Sequence, residues 1–294
     1  MGKAVINCSM TPGIQYALAA MLLFGIGDLI YKRGAAAGAQ PHHLQMVQSW
    51  LFLPTVAAYG LFTGSLQFSA AAAIWGGLAG VFALTGFYNF AHSLKSGPVS
   101  INAPIFRLSF VITAALAVLL LREPLTAYKI AGIALALAAV WLLLGAPPPG
   151  GATRRETLSS LVRVLIATAA IGIGNFIYKY GVRAGATPAS LIVAQSVVFV
   201  ALSAALVGAL DRRIRPSRAA LRYAPAAGFV LALAVVFMVE SLVRGEASVL
   251  VPIAQMGFVV AALLGFLLLR EPFTLRKGAG LAAALAALGS LAHG

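Results

Sequence analysis

The chain contains an internal repeat that extends over most of its length. Residues 25–44 align with residues 172–191 at an offset of 147, and 12 of these 20 positions are identical. Residues 119–132 match residues 267–280 at an offset of 148, and Pro104 aligns with Pro252. Shared Tyr-Lys, Gly-Pro and Arg-Glu-Pro sequences do not arise by chance between apolar stretches. The pattern therefore predicts two copies of one structural unit.

The repeated units are almost entirely apolar. Hydrophobic residues make up 61% of the 294 positions, and the mean hydropathy of +0.95 excludes a soluble globular domain. A membrane-spanning helix needs roughly 20 apolar residues. Windows bounded by Gly, Pro and charged residues predict ten such spans, at 14–33, 43–63, 73–94, 100–121, 126–145, 161–182, 188–210, 222–243, 247–269 and 274–292.

The number of spans in each copy determines how the two copies are oriented. Each half holds five spans, and with an odd number two similarly folded halves enter the membrane from opposite faces. The first repeat covers 1–145, a Pro- and Gly-rich linker covers 146–160, and the second repeat covers 161–294. The predicted fold class is an all-α integral membrane protein with ten transmembrane helices in two inverted five-helix repeats.

The basic residues lie mostly in the connections between spans. The net charge is +14, and of the Lys and Arg residues 14 fall on one membrane face against six on the other. This bias places the richer face in the cytoplasm and both termini outside it. The distribution favours contact with the anionic headgroups of a lipid bilayer, so no nucleic acid is expected as a partner. The single cysteine, Cys8, cannot form an intrachain disulfide.

The end of the fourth span of each half carries the same short motif. It reads Arg122-Glu123-Pro124-Leu125-Thr126 in the first half and Arg270-Glu271-Pro272-Phe273-Thr274 in the second, and a Gly-rich fifth span follows each. With the duplicated five-span unit, this motif resembles the drug/metabolite transporter superfamily, specifically its ten-helix EamA-type exporters. The resemblance covers nearly the whole chain.

The resemblance implies a central cavity between the halves and transport by alternating access. Relatives in the superfamily move amino acids, nucleotide sugars, triose phosphates and organic cations. The size and aromatic content of this chain resemble bacterial exporters of amino acids and related metabolites. The resemblance therefore implies a multi-pass protein of the bacterial inner membrane with a small-molecule substrate, and we expect a monomer.

Asp28 and Arg107 are charged residues within predicted spans. Inserting a charged side chain at the centre of a membrane helix costs roughly 2.5–3.5 kcal/mol, so such residues are candidates for a functional role. Helical spacing puts Asp28 on one face with Phe24 and Tyr31, which would give a transported ammonium a carboxylate and aromatic walls. Arg107 lies one turn after Pro104, and its planar guanidinium suits a carboxylate. The alternative is a salt bridge between the two charges that contacts no ligand.

The repeat partners of these two residues carry no charge. Asp28 aligns with Asn175, and Arg107 aligns with Gln255. In each pair the first half has the charge and the second half has a hydrogen-bonding analogue. If these positions line a cavity, the asymmetry would orient a zwitterionic substrate. That is the most specific functional hypothesis that the sequence supports.

His92 and Glu240 are also repeat partners, each near the end of its span. Either could serve as a proton-coupling group if burial moved its pKa toward neutrality. The alternatives are structural: Glu240 precedes Arg244 by four residues, the favourable order for an ion pair on a helix. His92 would then only cap its span, and these structural roles are the preferred interpretation.

Several uncharged residues complete the candidate substrate site. The amides either line a cavity or bridge helices, and most of the aromatic rings serve in packing, while a few would form a pocket for a large side chain. These candidates are Gln48, Gln195, Asn89, Asn102, Tyr88, Tyr178 and Phe237. Pro104 and Pro252 are matched kink sites, which indicates a pair of gates.

Other functions fit the residues less well. His42 and His43 lack a third ligand at metal-binding spacing and are expected to face solvent, so no metal and no cofactor are predicted. An intramembrane enzyme would need a nucleophile with a base or a metal motif, which the sequence lacks, and a channel or structural bundle would not need paired kinks. The prediction is a secondary transporter of amino acids, with organic cations, drugs or sugar phosphates as alternative substrates.

Overall fold

The computed structural model describes residues 11–96, 102, 105–143, 154–212, 215–269 and 274–293. Within them the chain is all helical. The helices are α1 (Pro12–Ala36), α2 (Pro41–Phe62), α3 (Ala70–Ser96), α4 (Ser109–Leu121), α5 (Ala127–Leu143), α6 (Arg154–Arg183), α7 (Pro188–Asp211), α8 (Arg218–Arg244), α9 (Ala247–Gln255), α10 (Gly257–Leu269) and α11 (Leu275–Ala292). Because α9 and α10 together form the ninth span, the predicted ten spans and the all-α fold class are confirmed.

Local sequence explains where several helices begin. Pro41 and Pro188 open α2 and α7 at a first-turn position that has no hydrogen bond to lose. The side chains of Thr187 and Ser217 accept hydrogen bonds from backbone N–H groups three residues later and so cap α7 and α8. α6 begins at Arg154, inside the predicted linker 146–160, and carries Glu156 in its first turn.

The fourth and ninth spans are interrupted at matched positions. The N–H of Leu108 donates to the carbonyl of Ile105 at 3.0 Å, and the N–H of Met256 donates to the carbonyl of Ile253 at 3.1 Å. Each of these bonds joins residues three apart, as in a 3₁₀ turn, instead of four apart as in an α-helix. The turn is therefore tighter, and it divides each span into two helical segments. For this reason α4 begins at Ser109, and the helical residues 102 and 105–107 before the break belong to the same predicted span 100–121.

The prolines proposed as kinks stand close to these interruptions. Pro252 lies within α9, four residues before the break at Met256, and a proline inside a helix removes one backbone hydrogen bond and displaces the preceding turn. Pro104 lies outside the described residues. The described part of the chain thus places an interruption one turn after Pro252, and the pair of proline kinks stays a prediction.

The two halves pack by exchanging equivalent contacts. α1 packs against α8 and α10, while its repeat partner α6 packs against α3 and α4. α5 and α11 pair with each other in the same reciprocal way, because Gly132 faces Leu291 and Gly280 faces Leu143. Reciprocal contacts of this kind are those of a two-fold axis. With five spans in each half, they produce the inverted pair.

Glycines allow these helices to approach each other closely. A Cβ atom on Gly25 would lie 2.6 Å from the carbonyl oxygen of Gly257, and one on Gly172 would lie 2.8 Å from the carbonyl oxygen of Ser109. Gly25 and Gly172 are repeat partners, as are Ser109 and Gly257. Since lipid tails compete equally for apolar side chains, such backbone contacts provide much of the packing energy between membrane helices.

Adjacent glycines on α3 offer a test of this packing. A Cβ atom on Gly76 would lie 2.4 Å from the carbonyl oxygen of Leu191, whereas one on Gly77 would meet only the side chain of Val198, at 3.8 Å. We expect Gly76→Ala to destabilise the protein by about 1–3 kcal/mol and Gly77→Ala to leave it unchanged. Thermal unfolding in detergent measures both, and equal melting temperatures would contradict the assigned contact.

Candidate functional site

Two charged side chains meet between the first and fourth spans. The Nη2 atom of Arg107 donates to Oδ2 of Asp28. The arginine side chain is 20% exposed and the aspartate side chain 37% exposed, so neither charge is sealed inside the protein. The salt bridge that the sequence predicted as an alternative is therefore present, and its partial exposure leaves room for a further contact.

The interruptions and the close helix crossings position this pair. Arg107 is the last residue before the break at Leu108, and Asp28 lies on α1 nearly one turn after Gly25, where α1 crosses the start of α10. The guanidinium of Arg107 lies 5.9 Å from the ring centre of Phe258, which belongs to the other half. A cation beside an aromatic face is attracted by its quadrupole. The pair is thus in contact with both halves.

The equivalent positions in the second half differ in charge and in hydrogen bonding. Asn175 is buried, and its Nδ2 atom has no hydrogen-bond partner. Gln255 is half-buried and is the last residue of α9 before the break. Because buried polar atoms are nearly always paired, an unpaired amide nitrogen calls for an explanation such as a ligand or water.

A second pair of repeat-related positions also differs in hydrogen bonding between the two halves. The hydroxyl of Tyr178 donates to Oε1 of Gln195 at 2.5 Å. The first-half equivalents are Tyr31 and Gln48. Tyr31 packs against a small apolar cluster that joins α2, α7 and α8, and Oε1 of Gln48 is buried with no partner. The unpaired acceptor therefore lies in the half that carries the charges.

Glu240 belongs to a cluster of side chains from three helices. The Nη1 atom of Arg244 donates to Oε2 of Glu240 at 2.5 Å, and the hydroxyl of Tyr59 donates to its Oε1 at 3.0 Å. The guanidinium of Arg244 stands over the ring of Tyr16 at 4.4 Å, and that ring packs 5.8 Å from Phe237. The predicted ion pair four residues apart is confirmed. The cluster joins α1, α2 and α8.

The third span carries three further candidates. The rings of Tyr88 and His92 contact edge to face at 5.3 Å. Nδ2 of Asn89 donates to the carbonyl of Thr85 at 2.9 Å, and its Oδ1 accepts from Nη1 of Arg163 at 3.4 Å. Asn89 and Arg163 line a groove between α3 and α6. Asn89 is therefore bonded to groups of both α3 and α6, and Tyr88 contacts His92.

Asn102 and Phe24 have contrasting surroundings. Asn102 is buried, and its Nδ2 atom donates to the hydroxyl of Ser160 at 2.8 Å and to the carbonyl of Ser93 at 3.0 Å. Its amide nitrogen is thus bound to protein groups. Phe24 is half-buried beside Gly257 at the start of α10, which places it near the crossing that holds Asp28.

Glu123 is a residue whose role the sequence did not reveal. Its buried carboxylate accepts hydrogen bonds from the N–H of Ala247 at 2.9 Å, from the N–H of Ser248 at 2.8 Å and from the hydroxyl of Ser248 at 2.6 Å. It thereby caps the first turn of α9 from the opposite half. Recurrence of the Arg-Glu-Pro motif was the signal that could have indicated this role.

The expectation that His42 and His43 face solvent is wrong. His43 is buried and His42 is half-buried. The Nε2 atoms of both rings bond to Oδ2 of Asp211, at 3.1 Å for His42 and 2.7 Å for His43. Asp211 ends α7, almost 170 residues away, so its proximity follows from helix packing and could not be read from local sequence.

Comparison with known proteins identifies the architecture. The sequence model of the EamA-like transporter family matches the chain twice, over residues 11–145 and 158–291. One solved crystal structure superposes with a TM-score of 0.81 and 18% sequence identity, covering 96% of this chain and 98% of its own. At that identity the likeness shows the fold alone. Among curated proteins, none matches this chain at a significant level.

Proposed function

This chain belongs to the EamA-like transporter family, and from that membership we propose that it exports amino acids or related small metabolites across the bacterial inner membrane. Membership of this family makes the chain a multi-pass membrane transporter of the drug/metabolite transporter superfamily. The proposed mechanism is alternating access through a central cavity between the two repeats. The observation that carries the proposal is the partly exposed Asp28–Arg107 pair beside the broken fourth span.

The chemistry of this pair matches a zwitterion. An amino acid carries an ammonium and a carboxylate on one carbon atom, and these are the partners that Asp28 and Arg107 respectively prefer. When such a substrate enters between them, its ammonium replaces the guanidinium as the partner of Asp28, and its carboxylate replaces Asp28 as the partner of Arg107. Because a buried charge left without a partner is strongly destabilising, this exchange costs less than opening the pair without a substrate.

The second half supplies uncharged groups at the equivalent positions. In the second half, the unpaired Nδ2 of Asn175 is a donor, and in the first half the unpaired Oε1 of Gln48 is an acceptor; both are proposed to contact substrate. Since only the first half is charged at the aligned positions Asp28/Asn175 and Arg107/Gln255, a zwitterion binds in one orientation. The remaining proposed wall residues, which would favour aromatic or branched side chains, are Phe24, Tyr31, Tyr88, Asn89, His92, Asn102, Tyr178, Gln195, Phe237, Glu240 and Gln255.

Organic cations are the second candidate substrate. Asp28 is a carboxylate with Phe24 and Tyr31 on the same face of α1, and a carboxylate among aromatic rings is a suitable site for a quaternary or protonated amine. The two candidates differ in what they require of Arg107. A zwitterion needs both charges, whereas a cation needs Asp28 and is repelled by the guanidinium.

Reconstitution into liposomes tests the proposal directly. Purified protein would be offered labelled amino acids, cationic dyes and sugar phosphates, with and without a pH gradient across the vesicle membrane. We expect uptake of amino acids above that of protein-free liposomes and no uptake of sugar phosphates. Uptake of dyes alone would favour the cation exporter, and no uptake of any compound would contradict the proposal.

The broken ninth span is proposed to act as a gate. Pro252→Ala should restore a backbone hydrogen bond within the span and stiffen it, so we expect turnover to fall roughly tenfold while substrate affinity changes little. Pro54→Ala is the control, because Pro54 lies inside the unbroken helix α2. Binding measured in detergent and transport measured in liposomes separate the two effects. Loss of affinity with unchanged turnover would contradict the gating role.

A further inference from the structure

Three side chains that commonly bind metals converge where α2 and α7 meet. The Nε2 atoms of His42 and His43 and a carboxylate oxygen of Asp211 all lie within 4.8 Å of one another. His42 and His43 stand at the first turn of α2, in the first repeat, and Asp211 is the last residue of α7, in the second. The cluster therefore joins the two halves at one end of the bundle.

The positions of the three atoms are close to those of a coordination shell. In a tetrahedral site with metal–nitrogen and metal–oxygen bonds of about 2.0–2.2 Å, ligand atoms are roughly 3.4 Å apart. The oxygen Oδ2 of Asp211 lies 3.1 Å from Nε2 of His42 and 2.7 Å from Nε2 of His43. Increases of roughly 0.3 Å and 0.7 Å in these two separations would match the tetrahedral value.

Burial and exposure also fit a metal site that is open on one side. The Nδ1 atom of His43 is buried with no hydrogen-bond partner, so Nε2 is the nitrogen that this ring offers. The side chains of His42 and His43 are 12% and 11% exposed, while that of Asp211 is 33% exposed. Asp211 thus leaves a path for an ion and for a water as the fourth ligand.

We propose that His42, His43 and Asp211 bind one divalent first-row transition metal ion, with Zn²⁺ as the ion of reference. Two imidazoles and one carboxylate suit Zn²⁺, Co²⁺ or Ni²⁺, whereas Ca²⁺ and Mg²⁺ prefer oxygen ligands throughout. Because the ligands come from both repeats, a bound ion fixes α2 to α7.

Metal binding to the purified protein tests this site independently of any transport activity. The full chain would be purified without a polyhistidine tag, treated with a chelator and titrated with Zn²⁺ and Co²⁺. We expect one ion per chain, an intense visible absorption from tetrahedral Co²⁺, and a higher melting temperature with Zn²⁺. Since replacing even a residue that only supports a ligand weakens metal affinity about 10–100-fold, Asp211→Asn should weaken it at least about 100-fold.

Controls separate this site from adventitious binding. The double variant His42→Ala, His43→Ala should lose the ion, whereas His293→Ala, which removes an exposed histidine near the end of α11, should bind as the unaltered protein does. Asp211→Asn keeps a side chain of the same shape, and its melting temperature without metal measures whether folding is preserved. Binding that persists in Asp211→Asn or in the double variant, or no bound ion in the unaltered chain, would overturn the proposal.

Discussion

Replacing Asp28 by Asn and Arg107 by Gln in one protein is expected to abolish amino acid transport while the protein remains folded. The double variant gives the first half the residues that stand at Asn175 and Gln255 in the second. In the second half, a matching backbone already accommodates asparagine and glutamine at these positions, with the break directly after Gln255. Removing both charges together also avoids leaving either partly exposed charge without its partner.

The expected loss of transport follows from the hydrogen bonds that the substrate would make. A hydrogen bond to a charged group contributes about 1.5–3 kcal/mol, and each 1.4 kcal/mol corresponds to about a tenfold change in an equilibrium constant. Loss of both charged partners should therefore lower transport at limiting substrate by roughly 100-fold or more. Initial rates in liposomes containing equal amounts of inserted protein measure this effect.

A charge-swapped variant separates substrate binding from a structural ion pair. Asp28→Arg combined with Arg107→Asp restores a salt bridge of opposite polarity, so a purely structural pair would regain transport. If the pair orients a zwitterion, transport stays low because the uncharged positions of the second half are unchanged. Arg276→Gln is the matched control, since it removes one arginine that is exposed and bonds to the carbonyl of Trp141. Wild-type transport by the swapped or double variant would refute the proposed site.

The sequence predicted the parts of this fold that depend on local pattern. Hydropathy identified ten spans because a membrane helix must satisfy its backbone hydrogen bonds internally and face lipid with apolar side chains. The repeat, with five spans in each half, identified the inverted arrangement. The Asp28–Arg107 pair could also be predicted from the sequence. Few charged residues lie inside the spans, and each needs a partner of opposite sign at a similar depth in the membrane.

Contacts between distant residues were beyond what one sequence can show. Tyr59 and Glu240 are 181 positions apart, and Glu123 and Ala247 are 124 apart, yet both pairs form hydrogen bonds. Such contacts follow from how helices of opposite halves cross, and helix periodicity does not encode that. Side-chain asymmetry was similarly hidden: the repeat aligned Gln48 with Gln195, but only the structure shows one unpaired and the other bonded to tyrosine.

The second large effect is expected at Glu123. Its carboxylate satisfies two backbone N–H groups and one hydroxyl at the first turn of α9, and it lies at the positive end of that helix dipole. Glu123→Ala leaves these donors buried without an acceptor, so we expect destabilisation of about 3–5 kcal/mol. Ser248→Ala removes only the hydroxyl bond to the carboxylate and should cost about 1.5–3 kcal/mol. Thermal unfolding in detergent compares the two variants.

Glu123 also links stability to the proposed site, because α9 ends at Gln255, directly before the break in the ninth span. A carboxylate from the first half thus determines where the broken helix of the second half begins. Glu123→Gln keeps one acceptor oxygen but turns an amide toward a second donor, so it should lie between the other two variants in stability. Among molecules that remain folded, it should transport more slowly because α9 is held less firmly. If Glu123→Ala were no less stable than Ser248→Ala, the carboxylate would not anchor α9.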